Sequence, residues 1–129
     1  MNFHSLKSLC AAALLLSASA ITTAPVFAHG AAPARHGGVV QSANDMSFEL
    51  ASADDGAVVY VVDHDNDRDA SKMSGKLTVL NGADKSEAEL KPAGGNKLEA
   101  KGIKLGKGSK AVATVTEGRK TTTVRFTIK

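Results

Sequence analysis

The run MSFELASADDGAVVYVV, residues 46–62, decides the fold. Its first five residues put Met46, Phe48 and Leu50 on one side and Ser47 and Glu49 on the other, the period-2 alternation of a half-buried strand. AVVYVV (57–62) is an almost unbroken β-branched and aromatic run, the composition of a central strand. Between them ADDGA reads as a tight turn in which Gly56 is free to take a positive φ.

The same rhythm continues towards the C-terminus. KLTVL (76–80), SEAEL (86–90), KLEA (97–100), KAVATVT (110–116) and TTVRFTI (122–128) are further short strand candidates. NGADK, PAGGN, GKGS and EGRK separate them with turn chemistry, and Pro92 falls at a strand end, where its missing N–H costs little. No segment carries a sustained 3.6-residue apolar stripe. Seven to eight strands at this spacing predict an all-β chain, an immunoglobulin-like antiparallel β-sandwich, with a small β-barrel as the alternative.

Towards the N-terminus the pattern changes character. Residues 1–9 are short and basic at Lys7, and residues 10–28 are apolar, rich in Ala and Leu, and interrupted by Ser17, Ser19, Thr22 and Thr23. Those interruptions suit a secretory signal better than a membrane span of about 20 apolar positions. VFA (26–28) places the cut after Ala28, with ASA (18–20) as a rival that would leave an apolar tail on the mature chain. The expected organisation is therefore a signal peptide over 1–28, a flexible arm over 29–35, and one β domain over 36–129. About 100 residues remain after such a cut, enough for one domain with a modest core. The sole cysteine, Cys10, leaves with the signal, and LKSLC lacks the small residue expected before a lipid-bearing cysteine. Export without disulfides fits a bacterial periplasmic protein, with no membrane anchor after cleavage.

Charge is segregated along the chain. Residues 45–69 hold eight acidic side chains against one basic one, Arg68, whereas the chain from Ala70 onward holds thirteen Lys or Arg against five Asp or Glu. The lysines are scattered singly and aromatic residues are scarce, which argues against nucleic acid, because binding single strands needs aromatic platforms beside the positive charge. A charged, solubilising face is the simpler reading.

Metal chemistry centres on histidine. A cut after Ala28 exposes His29 as a new terminus, whose α-amine and imidazole can chelate one ion together. Nitrogen donors suit Cu(II) best among the divalent first-row metals, and both donors have ordinary pKa values that let metal compete near neutrality. His36 or His64 can add a third nitrogen. The other familiar N-terminal copper site needs histidine at the third mature position, where Ala31 stands. In DHDNDRDASKM (63–73), Asp63, Asp65, Asp67 and Asp69 surround His64 directly after a buried strand. An EF-hand loop is excluded, because neither possible start places Gly at the sixth position and Glu at the twelfth. The aspartates read as a solvated loop whose like charges keep it open, and His64 as the residue able to meet the arm. Met46 is in phase with the core, while Met73 lies in the loop as a soft donor. Catalysis has little support: the chain has no G-x-S-x-G elbow, and a small β domain is a poor home for a carboxylate-pair glycosidase.

HGGVV (36–40), MSFEL (46–50), YVVDH (60–64), SGKLTVLNG (74–82), LKPAGGNKLEAKG (90–102), KAVATV (110–115) and VRFTIK (124–129) span most of the mature chain. Together they resemble a group of small bacterial periplasmic proteins associated with heavy-metal and copper resistance. They are also similar to domains near the N-terminus of the periplasmic adaptor proteins of metal efflux pumps. The resemblance implies a metal role for His36, at the head of HGG, and for His64, in DH.

Two functions follow as expectations. The first is a non-enzymatic periplasmic protein that binds copper or another divalent heavy metal for buffering, delivery or resistance. His29, His36 and His64 would be its ligands, with Asp63 as a ligand or a group orienting an imidazole. The second is an interaction module of a metal-efflux or envelope complex, with an efflux adaptor or other envelope protein as partner. Histidines gathered on one edge favour the first, and scattered histidines the second.

Overall fold

A computed structural model describes residues 32–129. The expected signal segment, its cut after Ala28 and His29 lie outside the described residues.

The described residues contain no helix and nine strands. They are β1 (Val39–Ala43), β2 (Met46–Ala53), β3 (Gly56–Asp63), β4 (Asn66–Asp67), β5 (Met73–Asn81), β6 (Asp84–Pro92), β7 (Lys97–Lys101), β8 (Lys110–Glu117) and β9 (Lys120–Thr127). Every ladder is antiparallel, in the order β1-β2-β3-β7-β6-β5-β8-β9, with the two-residue β4 paired to β3. β6 and β7 share only two register pairs, Lys91↔Glu99 and Pro92↔Leu98, which marks a corner in the sheet. β1 comes to lie alongside β9 with no ladder between them. The result is an all-β sheet nearly closed into a barrel, so of the two forms expected the barrel describes it.

Alternation puts the core where the sequence places it. Phe48 and Leu50 of β2, Val59 and Val61 of β3, Leu77 and Val79 of β5, Leu98 of β7, and Val124 and Phe126 of β9 fill the interior. Ile103, in the connection from β7 to β8, joins the same core. Burying a side chain of this size stabilises by about 1.5–3 kcal/mol. Met73 departs from its expected place in a loop. It opens β5 at only 2% exposure, because pairing with Glu117 of β8 draws that strand three residues further back than KLTVL suggests. Met46 is half-buried and packs against the core, in phase with Phe48.

Two tight turns lie at the same end of the barrel. Asn44 (φ 50°) and Asp45 (φ 64°) join β1 to β2, and His64 (φ 47°) and Asp65 (φ 67°) join β3 to β4. Positive φ at both central positions is the type I′ hairpin turn, which matches the right-handed twist of the strands. Asn, Asp and His tolerate that backbone better than most residues. The turn thus fixes His64 at the tip of a hairpin.

Candidate functional site

Residues 32–38 run down the outer face of β2 before the chain reverses at Gly37 (φ 69°) and returns as β1. Ala32 to Arg35, part of the expected arm, has no regular strand but is tied at two points. The Ala32 N–H donates to Ser47 Oγ at 3.0 Å, and the Arg35 N–H donates to Glu49 Oε2 at 3.0 Å.

Glu49 organises this segment. Its Oε1 accepts the His36 N–H at 2.7 Å and the Gly38 N–H at 3.0 Å, and its Oε2 lies 3.0 Å from His36 Nδ1. The side chain is buried although it belongs to the polar side of the β2 alternation, because residues 35–38 cover it. Burial works to raise its pKa. The Arg35 N–H, the His36 ring, and the Gly38 and His36 N–H groups outweigh that and bring it from 4.5 down to about 2. Gly38 is required by the close approach: a Cβ there would stand 2.3 Å from the Leu50 carbonyl oxygen.

A carboxylate offers only acceptors, so the contact with Glu49 assigns the ring proton of His36 to Nδ1. In the neutral ring this tautomer leaves the lone pair on Nε2. The imidazole lies flat on Tyr60, the cross-strand partner of Glu49, with centroids 3.5 Å apart and planes within 1° of parallel. Orientation and tautomer of His36 are therefore both fixed by β2 and β3.

His64 repeats half of this arrangement. Its Nδ1 pairs with Asp63 Oδ1, which again directs Nε2 away from the protein, and the ring is well exposed. Two of the neighbouring carboxylates, those of Asp67 and Asp69, are engaged elsewhere. Arg35 Nη1 donates to Asp67 Oδ1 at 3.3 Å and its Nη2 to the Asp65 carbonyl at 3.0 Å. Arg68 Nη2 donates to both oxygens of Glu117 at 3.1 Å. Asp69 accepts the N–H and the hydroxyl of Ser71, at 3.0 and 2.9 Å, and these bonds hold its carboxyl below the ordinary range. Within the turned acidic tract Asp63, Asp67 and Asp69 have side-chain partners, whereas the Asp65 carboxylate has none among the described residues.

A cleft of about 590 Å³ opens between the two turns, lined by Ala32, Asn44, Asp45, Ser47, His64 and Asp65 among others. Of the expected ligands within the described residues, His64 lines this cleft and Asp63 contacts its ring. His36 sits beside Tyr60, four residues back along β3, about 13 Å at the rise of a strand. Among the described residues no three His, Cys, Asp or Glu side chains converge on a point that could hold a metal ion. Glu49, Tyr60 and Arg35 are the members that sequence reasoning did not single out. The available signal was Glu49, an acid between Phe48 and Leu50 in a strand whose neighbour carries the one tyrosine of the chain. No family model, no curated protein and no solved structure matches this chain.

Proposed function

We propose that the protein is a non-catalytic metal-binding protein of the periplasm, suited above all to copper, that buffers or hands over ions after its signal peptide is removed. The observation that carries this reading is shared by His36 and His64: each has its Nδ1 held by a carboxylate, leaving Nε2 as the ring nitrogen available to an ion. A carboxylate or carbonyl on the far ring nitrogen is the usual way proteins orient a metal-binding imidazole and raise its basicity.

The primary centre in this reading joins His29 to His64. His29 stands three residues before Ala32, and three extended residues reach about 10 Å. Ala32 and His64 line the same cleft. The α-amine and imidazole of His29 would then supply two nitrogens and His64 Nε2 a third, a donor set that favours Cu(II). Asp63 orients His64, and His36 forms a separate, weaker position.

Titration of the exported, cleaved protein with Cu(II) tests the reading. One equivalent should bind with a nitrogen-ligand visible spectrum, and His29→Ala or His64→Asn should weaken it at least tenfold. Binding unchanged in both variants would overturn it. The separation of His36 from His64 favours a second reading, a non-catalytic module that docks on an efflux adaptor or another envelope protein. Recovery of such a partner by a protein that binds no copper would support it.

A further inference from the structure

The end of the barrel opposite the two I′ turns carries a different chemistry. The connection from β7 to β8, read with its flanking residues, is KGIKLGKGSK (101–110), with a lysine at every third position and no acidic residue. The segment is anchored from beneath. Ile103 is 3% exposed within the core, Leu105 packs against that core, and Ser109 is buried with its hydroxyl on the Gly106 carbonyl. Its backbone is tied down as well. Gly102 N–H donates to the Asp55 carbonyl at 2.7 Å, Gly108 N–H to the Ile128 carbonyl at 2.8 Å, and Ile128 N–H to the Ser109 carbonyl at 2.8 Å.

Because the apolar positions face inward, Lys101, Lys104, Lys107 and Lys110 are all left exposed, and none forms an ion pair among the described residues. By contrast, Lys76, Lys85 and Lys91 on the β5–β6 hairpin each lie within 4.0 Å of a glutamate. Lys129 adds a fifth ammonium group at this end, against Asp54, Asp55 and Asp84 in the adjoining turns. Leu80, cross-strand from Lys110, is 41% exposed and is the one exposed large hydrophobic side chain among the described residues.

We propose that this lysine-studded end is a docking surface for anionic lipid headgroups, with Leu80 entering the interface. Several unpaired ammonium groups carried on an anchored backbone beside one exposed leucine match a surface of dense negative charge over an apolar layer. Each lysine near such a surface contributes about fivefold in apparent affinity, equivalent to about 1 kcal/mol. Attraction of this kind is screened within about 8–10 Å at moderate salt, so it must weaken steeply as salt rises. The inference is independent of the metal reading, since it uses none of the same residues.

Co-sedimentation of the cleaved full-length protein with vesicles tests it. Vesicles of phosphatidylglycerol and phosphatidylcholine should retain the protein at low salt, and pure phosphatidylcholine should not. A Lys101→Gln, Lys104→Gln, Lys107→Gln, Lys110→Gln variant should lose more than a hundredfold, and Leu80→Ser a further several-fold. A charge-matched variant with Lys72→Gln, Lys91→Gln, Arg119→Gln and Lys120→Gln controls for net charge and should lose less than tenfold. Circular dichroism confirms the fold of each variant. Equal losses in the two quadruple variants would overturn the proposal in favour of diffuse charge. Loop-dependent capture by polyglutamate beads, with no vesicle binding, would overturn it in favour of an acidic protein partner.

Discussion

The imidazole of His36 is stacked on the ring of Tyr60, 3.5 Å between centroids, while its Nδ1 contacts the buried carboxylate of Glu49. Glu49 and Tyr60 are register partners on neighbouring strands, so one pair of the β2–β3 ladder grips both an edge and a face of the same ring. The ring leads straight into the reversal at Gly37 and Gly38, and fixing it fixes where the N-terminal segment lies on the sheet. That segment points Ala32 at the cleft beside His64.

Replacing Glu49 by Gln should cost about 3 kcal/mol at pH 7, because three backbone donors and an imidazole lose an ionised acceptor. The pH dependence has a definite sign. A carboxyl lowered from 4.5 to about 2 on folding adds stability that is fully present above pH 4.5 and is lost as pH falls through about 2. Urea unfolding across that window should show wild type converging on Glu49→Gln as the acid limit is approached. A constant gap at every pH would contradict the role given to Glu49.

The ring nitrogens of His36 report the same contact spectroscopically. Nitrogen-15 spectra should place the proton on Nδ1 in the wild type and in Tyr60→Leu, and lose that preference in Glu49→Gln. Tyr60→Leu should still destabilise by about 1 kcal/mol through the lost stacking.

Gly38→Ala tests the close approach of the returning chain to β2. With its Cβ 2.3 Å from the Leu50 carbonyl oxygen, the backbone must shift, at a cost of about 1–3 kcal/mol. Thermal unfolding should register this as a lowered Tm, accompanied by faster exchange of the Arg35 and His36 amides.

At the hairpin tip, His64→Asn should change stability by less than about 0.5 kcal/mol, since Asn is at home at the positive φ this turn requires. His64→Val, β-branched and ill suited to that backbone, should cost more than 1 kcal/mol on the order expected for local backbone strain. The first variant removes an imidazole without disturbing the turn, which makes it the appropriate one for metal studies.

Much of the fold was legible because alternation and turn chemistry are local. Phe48 and Leu50, Val59 and Val61, and Val124 and Phe126 are buried in the phase that their spacing gives. Barrel closure was not legible, since it depends on the two-pair corner between β6 and β7 and on β1 meeting β9. Met73 was misplaced for a related reason: its burial follows from pairing with Glu117 on β8, a partner 44 residues away. The candidate site shows the same divide. The adjacency of Asp63 and His64 is visible in sequence, whereas Glu49 reaches Arg35, His36 and Gly38 only after the chain doubles back. The acidic tract is solvated in line with its composition, but long-range partners tie it down: Arg35 reaches Asp67, and Glu117 of β8 reaches the tract's own Arg68.

Substoichiometric Cu(II) added to the nitrogen-15-labelled, cleaved protein tests the metal reading most directly, because paramagnetic broadening marks where the ion sits. Broadening should begin at His64, Asp65, Asp45 and Ala32, and His29→Ala should abolish it there while leaving any weaker effect at His36. Broadening spread evenly over the carboxylates, or unchanged when His29 and His64 are both replaced, would contradict a copper centre built on those two histidines.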